Sequence, residues 1–251
     1  NDTKSYTLSG TGAIVGSSAF VMEGSNSVTI STESSYTGGN YLRGGTTTVS
    51  VLSNSTKPKG NLGGVTTSAT KFTMENGAIL KTTAAVTNGS PIRMIGDGGV
   101  INNSADFNQE AAFSGTTLTK RGSGWLKPSV ESTLRKLIVE AGTVDAGAKI
   151  ANNVELKGTA AITGNGFLST PIFVADKAKA KLTTINRQTT NLALTGKGQL
   201  TVYCATEKGS NYYATRTPIN FNLSKFQGTL VAEAVYTADG RFTLDTSSGG
   251  D

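Results

Sequence analysis

Gly122-Ser123-Gly124-Trp125-Leu126 is the stretch on which the fold turns: two glycines bracket one polar residue, and an aliphatic side chain follows two positions after the second glycine. Glycine at such a place allows positive φ or a close approach of two backbones, which is what a tight corner needs. The arrangement recurs as Gly10-Thr11-Gly12-Ala13-Ile14, Gly96-Asp97-Gly98-Gly99-Val100, Gly164-Asn165-Gly166-Phe167-Leu168 and Gly196-Lys197-Gly198-Gln199-Leu200. A second pattern sets apolar residues at alternate positions ahead of a charge and a glycine, as in Phe20-Val21-Met22-Glu23-Gly24, Phe72-Thr73-Met74-Glu75-Asn76-Gly77 and Val154-Glu155-Leu156-Lys157-Gly158. A third places an aromatic two residues before glycine, in Tyr36-Thr37-Gly38, Phe113-Ser114-Gly115 and Phe226-Gln227-Gly228. Apolar side chains at every second position mark half-buried strands, and they return in Val28-Thr29-Ile30 and Leu200-Thr201-Val202-Tyr203-Cys204. Combined, the patterns describe strand, corner, strand, repeated along the chain.

The steps from Gly96 to Gly122, from Gly122 to Gly164 and from Gly164 to Gly196 are 26, 42 and 32 residues, too uneven for propeller blades. A solenoid tolerates this, because only the short strands must stack while the corners vary in length. The expected fold is therefore all-β, a single-stranded parallel β-helix with a narrow aliphatic core. Roughly 25 residues per coil would give about ten coils and a rod on the order of 50 Å. Helical spacing is confined to residues 129–138, where a turn or two of helix is expected. One continuous domain is expected over residues 1–251, with residues 197–251 forming less regular coils and a cap.

Composition narrows the chemistry. Of 251 residues, 31 are Gly and only 16% are charged, and there is no histidine. Threonine and serine make up roughly a quarter of the chain, well above ordinary usage, and suit the outer faces of stacked strands. Without histidine, Ser-His-Asp and Cys-His catalysis and the usual His-containing zinc sites are excluded. The single cysteine, Cys204, excludes disulfides within the chain and cysteine-cluster metal sites, and reads as a small core residue. The net charge of +6 is a mild excess spread along the sequence. No apolar run is long enough for a transmembrane helix. The opening at Asn1 and the closing Ser247-Ser248-Gly249-Gly250-Asp251 read as a piece of a longer polypeptide.

At this point the residues resemble a family. Ser34-Ser35-Tyr36-Thr37-Gly38-Gly39 with Gly44-Gly45-Thr46-Thr47-Thr48-Val49 resembles the autotransporter-associated β-strand repeat. So does Leu118-Thr119-Lys120-Arg121-Gly122-Ser123-Gly124-Trp125-Leu126 with Leu137-Ile138-Val139-Glu140-Ala141-Gly142-Thr143-Val144. Leu223-Ser224-Lys225-Phe226-Gln227-Gly228-Thr229-Leu230 with Gly240-Arg241-Phe242-Thr243-Leu244 resembles the closing segment of related bacterial surface β-helices. The resemblance implies a right-handed parallel β-helix of pectin-lyase-like architecture in a secreted or surface-displayed bacterial protein, and specifies architecture rather than activity. Trp125 and Pro128 depart from the repeat, where small or aliphatic residues are usual, and residues 197–218 do not form a clear copy.

Little in the chain carries chemistry. Each Gly-x-Gly lacks the third glycine and the helix of a dinucleotide fingerprint, so it reads as a corner. Asp97, Asp106, Asp145 and Asp176 are the catalytic candidates, since paired carboxylates roughly 5 to 10 Å apart could act on glycosidic bonds; as single residues they read as solvated turn carboxylates. No Asp-rich loop suggests calcium, and no metal or cofactor is expected. Asp176-Lys177-Ala178-Lys179-Ala180-Lys181-Leu182 sets three lysines on one strand face, suited to an acidic polymer or to discouraging edge pairing. No aromatics interleave with them, so nucleic acid is not an expected partner. Trp125 and Phe167 each precede the inward leucine of a Gly-x-Gly copy and are expected to face outward, sharing one flank if their coils align. Exposed aromatic faces can stack on sugar rings, and Tyr212 and Tyr213 add others in a loop. The expected function is a non-enzymatic, adhesin-like scaffold, extracellular or on the bacterial cell surface, presenting a lateral face to glycan or protein. The alternatives are a carbohydrate-active β-helix enzyme and a pure assembly element.

Overall fold

A computed structural model describes residues 4–167, 169–185, 190–205, 219–234 and 243–245. The described residues form a parallel β-solenoid of about nine turns, with a single short 3-10 helix at Asn165–Phe167. All strand pairs within the named sheets are parallel. Three stacks of short strands wrap the core. The first contains Phe20–Met22, Asn40–Leu42, Phe72–Met74 and Ile92–Met94, and joins the start of Phe113–Arg121. The second runs from Tyr6–Leu8 through Gly99–Asn103, the end of Phe113–Arg121, Thr133–Val139, Val154–Leu156, Ile172–Val174 and Thr190–Gly196 to Ile219–Phe226 and Thr243–Asp245. The third runs from Val86–Asn88 through Phe107–Gln109, Trp125–Pro128, Thr143–Asp145, Ala161–Thr163 and Lys179–Ile185 to Gln199–Ala205 and Thr229–Ala234.

Alternation sets what each rung buries. On the third face Val86, Phe107, Leu126, Val144, Ile162, Leu182 and Val202 stack in register and point inward, all buried. On the second face the outward residues Ile79, Val100, Thr119, Ile138, Glu155, Phe173 and Thr195 are successive Cα partners. A turn therefore takes 17 to 22 residues here, shorter than the 25 inferred from sequence. Longer excursions separate Thr46 from its partner Ile79 and Thr195 from Lys225. The uneven glycine spacing has a simple cause: Gly96–Gly98 lies between the first and second faces, Gly122–Gly124 and Gly196–Gly198 between the second and third, and Gly164–Gly166 after the third. The corner at Gly122 shows why glycine is required. Its φ is +78°, and a Cβ there would sit 2.3 Å from the carbonyl oxygen of Asn103 in the coil below.

Two sequence expectations fail in this region. Residues 129–138 contain no helix; Thr133–Val139 is a strand, since Leu134, Leu137 and Val139 meet the core while Arg135 reaches solvent. Lys177 does not share a strand face with the other two lysines of its run. It occupies a turn with Asp176 at φ +63°, and the strand starts at Lys179.

Corners bury backbone carbonyls that need donors, and side chains supply them. Asn103 Nδ2 donates to the carbonyls of Ala105 (2.6 Å) and Trp125 (2.9 Å). Asn88 and Gln109 form a stacked amide pair that donates to Ser90 and Ala111. Lys120 does the same with a cation. It stands between Ile101 and Val139 in an inward stack, is wholly buried, and its Nζ donates to the carbonyls of Arg121 (2.7 Å), Gly122 (2.7 Å) and Ala141 (3.2 Å). Burial pushes its pKa down to about 8. The Tyr-Thr-Gly-Gly motif ties a corner to the long excursion: buried Tyr36 donates to Asn40 Oδ1 (2.7 Å), and Asn40 Nδ2 donates to the Leu62 carbonyl.

Candidate functional site

The four aspartates do not converge. Asp97 and Asp176 sit exposed in turns at different corners, each leaving a strand of a different face. Asp106 and Asp145 both belong to the third face, but two rungs and two residues separate them, on the order of 12 Å between backbones. Asp106 is bound to Lys127, whose Nζ lies 2.6 Å from its Oδ2. Among the described residues two pairs of carboxylates share a cation, and both involve residues the sequence reading passed over. Glu23 and Glu75 lie 2.7 and 3.2 Å from the Arg43 guanidinium, and the second pair is the more enclosed. Glu140 and Glu155 both approach Lys157 Nζ, at 4.0 and 3.4 Å. Arg121 holds Glu140 at 2.6 Å, and Lys136 holds Glu155. Burial alone would raise the pKa of Glu155, but the hydrogen bond and charge of Lys136 with the charge of Lys157 outweigh it and hold the carboxyl below its ordinary value. A glycosidic pair needs one member that keeps its proton near neutral pH, and this cluster of cations works against that. Among the described residues no three His, Cys, Asp or Glu side chains gather as a metal site, and no helix is long and apolar enough to cross a membrane.

The aromatic flank is differently composed from the expected one. Trp125 does face outward, 41% exposed, on the third face. Lys127, two residues on and on the same side, lies 5.3 Å from its ring centroid while also pairing with Asp106. Phe167 does not join it. The chain after Gly164 enters the 3-10 turn Asn165–Phe167 instead of a strand, which rotates Phe167 into the core at 1% exposure. Tyr212 and Tyr213 lie outside the described residues, as does the side chain of Cys204, whose backbone belongs to the strand Gln199–Ala205.

The second face supplies an aromatic that sequence reasoning missed. Phe173 lies between buried Ile172 and Val174 and is 43% exposed. Its signal was the period of two: in a three-residue strand flanked by aliphatics, the middle side chain must point out. Phe173 divides two shallow, open depressions. One, of about 510 Å³, runs past Arg135, Lys136, Asn153 and Glu155; the other, of about 320 Å³, runs past Asp176, Lys197, Lys225 and Gln227. Neither Arg135, Lys197 nor Lys225 has a carboxylate within 4.0 Å among the described residues. The lysine strand also gains an aromatic across coils, since Lys181 Nζ lies 5.8 Å from the Tyr203 ring.

The chain matches no family profile, no curated protein and no solved structure.

Proposed function

We propose that this protein is a non-enzymatic, adhesin-like β-solenoid scaffold of the extracellular space or bacterial cell surface that offers its lateral faces to glycan. The observation that carries this reading is the placement of Trp125 and Phe173, two large aromatic side chains about two-fifths exposed on outward strand positions, the first with Lys127 over its ring and the second between depressions lined by Arg135, Lys136, Lys197 and Lys225. A planar apolar ring fixed by a rigid core loses little entropy on binding and can stack on the apolar face of a sugar. The open depressions beside Phe173 suit a long polymer lying along the solenoid better than a small molecule that must be enclosed. The assignment to a surface-exposed bacterial protein rests on the resemblance of residues 34–51 and 117–147 to the autotransporter-associated repeat.

A glycan array probed with wild type, Trp125→Ala and Phe173→Ala tests this reading. Wild type should capture a defined subset of sugars, and at least one variant should lose it. Capture that survives both substitutions would remove the aromatic flank from the account. The rival reading, a carbohydrate-active enzyme, has Glu140 and Glu155 as its pair; polysaccharide turnover abolished by Glu155→Gln would establish it.

A further inference from the structure

We propose that the Phe173 depressions form a binding site for an acidic polysaccharide, with a sugar ring stacked on Phe173 and its neighbours' carboxylates or sulfates held by Arg135, Lys197 and Lys225. The inference rests on the glycan reading above and adds the chemical class of ligand. Arg135 shares a rung with Ile138, and the outward stack then climbs through Glu155, Phe173 and Thr195 to Lys225. The cations thus flank the ring on both sides over five rungs, roughly 20 Å along the axis. That is the reach of an extended oligosaccharide of several rings.

The charges in this strip are arranged for an anion. Arg135, Lys197 and Lys225 are all exposed and without a carboxylate partner among the described residues, so binding need not break an existing ion pair. Glu155, the carboxylate beneath Phe173, is already neutralised by Lys136 and Lys157. Asp176 remains at the rim of the second depression and opposes an acidic ligand. Thr195 and Gln227 supply neutral hydrogen-bonding groups beside the ring, which fit sugar hydroxyls. Phe173 is the one aromatic lining either depression, whereas a single-stranded nucleic acid would call for a row of stacking platforms.

The experiment measures binding of the whole chain to polygalacturonate, alginate and hyaluronan, each paired with its carboxyl-reduced form, at low and high salt. At least one acidic polymer should bind about tenfold or more tightly than its reduced partner, with affinity falling as salt rises. Lys197→Gln combined with Lys225→Gln should lower that affinity about tenfold and flatten the salt dependence, Phe173→Ala should lower it similarly, and Asp176→Asn should raise it. Thermal unfolding of the surface variants should match wild type. Equal binding of acidic and reduced polymers, or full affinity in the double lysine variant, would overturn the ligand class while leaving glycan binding standing. Failure to bind any polymer here or any sugar on the array would remove both.

Discussion

The faces around Trp125 and Phe173 are built from the same materials and arranged to opposite effect. At Trp125 the neighbouring cation, Lys127, is committed twice, to the indole ring at 5.3 Å and to Asp106 at 2.6 Å. The patch satisfies itself. At Phe173 the ring separates two depressions whose cations Arg135, Lys197 and Lys225 have no carboxylate within 4.0 Å among the described residues. An exposed aromatic beside a positive charge is thus not in itself a ligand site; what distinguishes the two is whether the charge already has a partner.

The most severe way to break the comparison is to remove the floor under either ring. Leu126 and Ile172 are both 0% exposed, so Leu126→Ala and Ile172→Ala should each cost about 2–5 kcal/mol in chemical denaturation. Equal losses would show that the faces differ only on the outside.

Lys120 sharpens the contrast from within, because its ammonium binds carbonyls of the corner that leads into the Trp125 strand. Its pKa falls from 10.5 to about 8 on folding. Below pH 8 the folded state bears the full cost of a buried charge. Between pH 8 and 10.5 the folded chain sheds the proton before the unfolded chain does, so stability from this residue rises with pH, by up to about 3 kcal/mol. Wild type should therefore gain stability relative to Lys120→Met across that window in paired denaturation curves. A constant difference would mean that Lys120 titrates normally.

Smaller effects concern the rings themselves. Phe173→Ala should lower glycan affinity about tenfold, near 1.4 kcal/mol, with folding stability within about 0.5 kcal/mol of wild type. Trp125→Ala should leave that affinity within about twofold and cost instead about 0.5–1 kcal/mol of folding stability, the scale of its exposed cation–π contact with Lys127. Trp125 is the only tryptophan, so its emission reports on the third face alone. A ligand seated at Phe173 should leave that emission nearly unchanged at saturation, and a large shift would move the site to the other face.

The solenoid was legible because its rules are local. Gly-x-Gly before an aliphatic marked real corners at Gly96, Gly122 and Gly196, each opening onto a strand, and the leucine after Gly122-Ser123-Gly124, Leu126, does point inward. The same motif at Gly164 misled, because whether a strand or a 3-10 turn follows depends on how the corner meets the next coil, and that choice rotated Phe167 inward. Thr133–Val139 looked helical in spacing because Leu134 and Leu137 are three apart, yet the core on one side and paired strands on both edges fix it as extended. The site was less legible still. Arg135, Phe173, Lys197 and Lys225 come from different coils, and only the register of turns of unequal length brings them to one strip.

The central claim, that exposed aromatics on the outer sheets bind carbohydrate, is tested most directly by array capture with wild type beside the combined Trp125→Ala and Phe173→Ala variant. Wild type should retain specific sugars, and the folded double variant should retain none. Undiminished capture by the double variant, or no capture by either protein, would contradict it.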